Sequence, residues 1–240
     1  MPRKIYKLFI SYDEAGAELR QHVAEQFHCS SDCVWQGSFR SLTAADLPPG
    51  DGVVWVYPVF MQSGVTVTET LPELLRALYA GSGQHPELVF KPVWGAGCGG
   101  VGFRAAAALQ KELEGEASLL VVAHGVTGRG AAPEPAQFLQ QLKFLLPEGT
   151  DMALAYFGAS PSVEKVLPGL KGQKVVVLPF LIGKGKHMRE DMPSPELAAR
   201  HGKTLKILPP FGAFYLQAER EYWKTGMGES AGNGFDGPAR

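Results

Sequence analysis

Cysteine is scarce in this chain, with three in 240 residues (Cys29, Cys33 and Cys98). That is an odd number and too few for a disulfide framework, which fits a reducing compartment. Neither sign of charge is in excess: 23 Lys and Arg stand against 24 Asp and Glu, a net charge of -1. Such a balance removes any whole-chain electrostatic case for nucleic acid or an anionic membrane. No apolar run reaches the length of a transmembrane helix, and the opening MPRKIYKLFISYDE lacks the apolar core of a signal peptide. The expectation is a cytoplasmic protein, monomer or homo-oligomer, with neither nucleic acid nor membrane as partner.

What remains is the composition of a globular protein, 45% hydrophobic and 20% charged, long enough for one large or two small domains. Apolar runs alternate with helical patterns. Strands are expected at Ile5 to Ser11, Cys33 to Gln36, Val53 to Tyr57 and Leu88 to Val93, with helices at Ala15 to Phe27, Pro72 to Ala80 and Phe103 to Leu113. The series then restarts, with strands at Leu119 to Ala123, Met152 to Phe157, Val175 to Leu178 and Thr204 to Leu208. Its helices are Pro135 to Leu145, Ser162 to Leu167, Pro195 to Arg200 and Ala213 to Trp223. This order predicts an α/β fold of two tandem similar halves, each a four-stranded parallel sheet flanked by helices. The halves are placed at 1–115 and 116–224. The tail at 225–240, rich in Gly and Ser with little to bury, is expected to be disordered.

The halves also match residue by residue. Val54-Trp55-Val56-Tyr57-Pro58 lies over Val175-Val176-Val177-Leu178-Pro179 at one constant spacing, and without a gap Gly64, Glu69 and Pro72 then meet Gly185, Glu190 and Pro193. A duplicated half-domain accounts for this. The copies part where chemistry is concerned: His187 lies over Thr66, and His124, at the end of an apolar strand, lies over Tyr12. Each histidine follows a buried strand, where open parallel sheets place their ligands. Two imidazoles there can bind a first-row divalent metal or accept protons near neutral pH.

The segment Val121-Val122-Ala123-His124-Gly125, followed by VVVLPFLIGKGKHMREDMP with its Gly185-x-His187-x-x-x-Asp191-Met192-Pro193 core, resembles the class II tetrapyrrole chelatases. These are the sirohydrochlorin cobalto- and ferrochelatases of the CbiX and CbiK type. The resemblance is close over the second half and, through the repeat, loose over the first. It implies a chelatase-like bilobal fold and insertion of Co2+ or Fe2+ into sirohydrochlorin or a related carboxylated tetrapyrrole, in cobalamin or siroheme-type biosynthesis. The metal is the substrate, and no organic cofactor is implied.

His124 and His187 carry over as the metal-binding and proton-accepting pair. Arg129, Lys184, Lys186 and Arg189 are the cations available for substrate carboxylates, and Gly185 lets the backbone approach the ring. Trp55, Tyr57, Phe60 and Trp94 are available as pocket walls, with core packing the simpler role for most of them. One position departs from the family. Its members commonly end the second strand with a Glu, where this chain has Gly158. Glu190 is then available as a third metal ligand. Asp191 can do the same, or orient His187, or cap the following helix. The missing Glu also leaves open an alternative, a non-catalytic tetrapyrrole- or metal-binding protein derived from a chelatase. The HCSSDC run at 28–33 has no second pair to complete a four-ligand site and is read as structural.

Overall fold

The computed structural model describes residues 3–26, 33–97, 99–125 and 131–224. Arg129, the residues at 27–32 and the tail from Thr225 lie outside the described residues, and the expectations made for them rest there.

The first sheet contains β1 (Ile5–Ser11), β2 (Val34–Ser38), β3 (Val53–Val59) and β4 (Glu87–Phe90). The second contains β5 (Ala117–Ala123), β6 (Met152–Tyr156), β7 (Lys174–Pro179) and β8 (Thr204–Ile207). All pairs are parallel, in the orders β2-β1-β3-β4 and β6-β5-β7-β8. The two halves therefore share one topology, as the repeat requires. In each, the crossover reverses direction between the two central strands, so β1/β3 and β5/β7 are switch points where a crevice opens at the strand C-termini.

The helices are α1 (Ala17–Glu25), α2 (Leu71–Gly81), α3 (Gly99–Glu112), α4 (Glu134–Leu145), α5 (Val163–Val166), α6 (Lys186–Glu190), α7 (Pro195–Ala199) and α8 (Phe211–Lys224). Apolar residues at helical spacing decide what each one covers. Leu71, Leu75 and Tyr79 of α2 pack on Tyr6, Leu8, Val54 and Val56 of the first sheet. On the second sheet, Val163 of α5 and Ala198 of α7 cover the face made by Leu120, Val122, Val175 and Val177. Every residue of β5 is buried, the pattern of a strand covered on both sides.

The two helices that end the halves hold the lobes together. Ala105, Ala106 and Leu109 of α3 pack not on their own sheet but on Leu119, Val121, Val176 and Leu178 of the second, beside Phe211 and Phe214 of α8. Further along α8, Tyr215 and Leu216 reach back to Phe9, Leu19 and Val23 of the first lobe. Full burial of one such leucine is worth roughly 2 to 3 kcal/mol, so the stitching makes a substantial contribution to holding the lobes in register. A polar contact adds to it: Ser63, after β3, donates to Glu134 at the start of α4.

Where elements differ from expectation, proline and glycine explain most of it. β4 stops at Phe90, short of Pro92, which has no N–H for the ladder. Pro168 limits α5 to Val163–Val166, followed by a 3-10 turn at Leu167–Gly169. The loop expected after β7 contains a helix, α6, and it carries His187.

Candidate active site

His124 follows β5 directly, and His187 sits on α6 after β7. Because β5 and β7 are paired neighbours, their side chains meet at the switch point of the second sheet. The two Nε2 atoms lie 2.9 Å apart, with the imidazole planes nearly perpendicular at 89°.

Each ring is held from behind. His124 Nδ1 lies 2.7 Å from the carbonyl oxygen of Gly125. Gly125 has φ +63, and a Cβ there would come within 2.7 Å of the Ala159 Cβ, so this turn demands glycine. His187 Nδ1 lies 2.5 Å from Oδ2 of Asp191, one helical turn on, where i and i+4 side chains meet. The Phe157 ring lies parallel to that of His187, 5.9 Å away.

Both Nδ1 atoms face groups that only accept hydrogen bonds, so both carry a proton, and both Nε2 atoms present lone pairs. Two lone pairs at this separation repel unless a proton or a cation lies between them. Metal–nitrogen bonds of about 2.1 Å meeting at a right angle would place two nitrogens about 3.0 Å apart. The pair is thus spaced to hold a proton or a divalent ion with little movement.

The histidines open into a cleft of about 520 Å³ between the lobes. The first lobe lines it with Tyr12, Phe60 and Met61, and the second with Phe180 and Ile182. Close approach of the lobes is built into Gly183, where a Cβ would meet the Ala15 carbonyl oxygen at 2.2 Å. Beneath Gly125, burial raises the pKa of the Tyr156 phenol.

The residues expected at the site are placed unequally. Gly185 lines the cleft with His187, while Lys184 and Arg189 are exposed beside it. Lys186 opens α6, but its side chain lies outside the described residues, as does Arg129. Glu190 is exposed on α6, and among the described residues no three His, Cys, Asp or Glu side chains are grouped as a metal site. The carboxylate that reaches the histidines is that of Asp191, which orients His187. Gly158 uses its backbone, its N–H donating to the His124 carbonyl at 3.1 Å.

Of the aromatics offered as walls, Phe60 lines the cleft. Tyr57 stacks on Phe9 at 4.7 Å, Trp94 packs beside Phe211 and Tyr215, and Lys91 Nζ lies 3.8 Å from the Trp55 ring centroid. The contributions of Tyr12, Met61 and Phe157 were not anticipated. For Tyr12 the signal was present, since it occupies the place of His124 in the repeat.

Two lobes of like topology, with paired histidines at the switch point of one and a cleft between them, define a bilobal α/β fold. Within the second half, residues 118–219 match the CbiX family model. The fold is similar to that of a structure described as CbiX, the terminal enzyme for biosynthesis of siroheme in denitrifying bacteria. That similarity has 17% identity and a TM-score of 0.55, over 91% of this chain and 99% of that one. SirB from Bacillus subtilis with Fe3+ aligns with a TM-score of 0.60 at 14% identity, over 94% of this chain and 98% of that one. The sirohydrochlorin chelatase SirB from Bacillus subtilis subspecies spizizenii, in complex with cobalt, gives 0.55 at 13% identity, covering 94% and 97%. No curated protein matches the sequence.

Proposed function

We propose that this protein inserts a divalent metal ion, Co2+ or Fe2+, into sirohydrochlorin or a related carboxylated tetrapyrrole, as cobalamin or siroheme-type biosynthesis requires. The observation that carries the reading is the convergence of two Nε2 atoms at 2.9 Å on the floor of an interlobe cleft. Metallation must remove two pyrrole N–H protons while the ion passes from protein ligands to ring nitrogens. Two imidazole nitrogens bind an ion and, once it has left, can take up protons. Asp191, against His187 Nδ1, fixes the orientation of that ring. A two-nitrogen site with open positions also releases the ion more readily than a closed four-ligand one. The largely apolar cleft suits a macrocycle face, and Lys184 and Arg189 are cations beside it for its carboxylates.

The test is metal insertion into sirohydrochlorin, followed by the change in its absorption spectrum. The wild type should accelerate it, and a His124→Ala, His187→Ala double variant should fall to the uncatalysed rate. Equal rates for the two would end the enzyme reading.

A second reading has one observation in its favour. Gly158 stands where a Glu was expected, and among the described residues no carboxylate joins the two histidines as a third metal ligand. A protein so equipped could carry a tetrapyrrole or a metal without turnover. Tight binding of the metallated ring with no insertion into the free ring would decide for it.

A further inference from the structure

The first lobe repeats the active corner of the second with different side chains. In the second lobe, Phe157 N–H donates to the Ala123 carbonyl at 3.0 Å and Gly158 N–H to the His124 carbonyl at 3.1 Å. In the first, Phe39 N–H donates to the Ser11 carbonyl at 2.8 Å and Arg40 N–H to the Tyr12 carbonyl at 3.2 Å. Tyr12 therefore stands at the place of His124, Phe39 at that of Phe157, and Arg40 at that of Gly158. The two corners contribute to one cleft, since Tyr12 lines it from the lobe opposite His124 and His187.

The first-lobe corner carries an aromatic ring and a cation where the second lobe has His124 and Gly158. Tyr12 is 46% exposed, with its ring stacked near Phe39 at 5.9 Å and edge-on to Phe60 at 6.4 Å. The Arg40 guanidinium lies 5.8 Å from the Tyr12 ring centroid. Among the described residues no carboxylate pairs with it. A guanidinium resting on an aromatic ring loses less rotamer freedom on binding an anion than a lysine in open solvent. The strand ends beneath are locked as well. Arg20, its side chain 11% exposed, donates to Ser11 Oγ at 2.6 Å and to the Gly37 carbonyl at 3.0 Å.

The cleft itself offers no counter-charge. Among its described lining residues there is no lysine or arginine, and its one carboxylate, Asp13, accepts from Ala15 N–H. A macrocycle bearing peripheral carboxylates must find its cations at the rim.

We propose that Arg40, propped on Tyr12, is the first lobe's anchor for a peripheral carboxylate of the macrocycle, so that the lobe lacking the histidine pair governs how the substrate is held over His124 and His187. This rests on the tetrapyrrole reading above and gives the first lobe a specificity role beyond supplying shape. Arg40 is a positioning residue, acting on substrate affinity rather than on the transferred ion.

The test uses the full chain with sirohydrochlorin as the probe, comparing wild type, Arg40→Gln and Arg40→Lys. Equilibrium binding is read by absorbance or fluorescence titration at low and raised salt, with Co2+ insertion measured in parallel. Arg40 is exposed, and equal melting temperatures check that each variant folds. Arg40→Gln should weaken binding about tenfold at low salt, with the gap narrowing as salt screens the pair. Its effect should fall on KM rather than on kcat, and Arg40→Lys should restore part of the affinity. If Arg40→Gln binds within about twofold of wild type while metal insertion proceeds, the anchor is wrong and the chelatase reading stands. If binding depends on Arg40 but no metal is inserted, the anchor stands and the chelatase reading fails. Absence of any binding by the wild type would overturn both.

Discussion

Replacing Asp191 by Asn asks whether the carboxylate behind His187 serves the metal or only the helix. Its Oδ2 is 2.5 Å from His187 Nδ1, and both side chains are 40% exposed. Removing such an outer partner of a ligating histidine costs about 10- to 100-fold in metal affinity. Solvent screens a pair this exposed, which places the effect at the lower end, about tenfold or about 1.4 kcal/mol. The fold should be spared. Asp191 closes a helix of five residues, and an acidic group at a helix C-terminus opposes rather than supports the dipole. Co2+ titration by visible absorbance, with a thermal melt of the metal-free protein, separates the alternatives. The expectation is affinity down about tenfold with the melt nearly unchanged. Unchanged affinity with a lowered melting temperature would refute the reasoning and make Asp191 a structural residue.

Other expectations follow from packing and burial. Leu109→Ala empties a fully buried position where α3 of the first half meets the second sheet, and should cost about 3 kcal/mol in chemical denaturation; a cost below about 1 kcal/mol would mean α3 does not hold the lobes together. Alkali should destabilise the fold through two phenols. Burial, with Tyr6 as a lesser cause, raises the pKa of Tyr79, and burial raises that of Tyr156, both above the ordinary 10.0. Below that pH folded and unfolded chains both keep these protons; above it the unfolded chain releases them first, so stability falls as pH rises. Melting temperatures at about pH 9 and about pH 11 check the sign, and no decline would contradict it.

Much of the framework was legible because its causes are local. Val175 to Leu178 is three β-branched valines and a leucine, and all four residues are fully buried. The Pro, Gly and Glu positions shared by Val54 to Pro72 and Val175 to Pro193 exposed the duplication before any motif was weighed. Other features depend on contacts that a local pattern does not carry. Ala105, Ala106 and Leu109 mark a helix face, but nothing in their spacing says that the face covers the other half's sheet. The loop Gly183 to Lys186 looks like a turn because glycines dominate it, so the helix bearing His187 is hidden. Asp191 had three roles open to it from sequence, and the helical spacing to His187 selects one. Tyr12 and Arg40 were overshadowed because the repeat was searched for what the first lobe had lost.

The central claim is that one divalent ion is held by His124 and His187 together. A crystal of the protein soaked with Co2+, examined by anomalous scattering at the cobalt edge, tests this most directly. The account predicts a single strong site at the cleft floor, with both Nε2 atoms about 2.1 Å from the ion and open positions facing the cleft. An ion bound elsewhere, or touching only one of the two histidines, would contradict it.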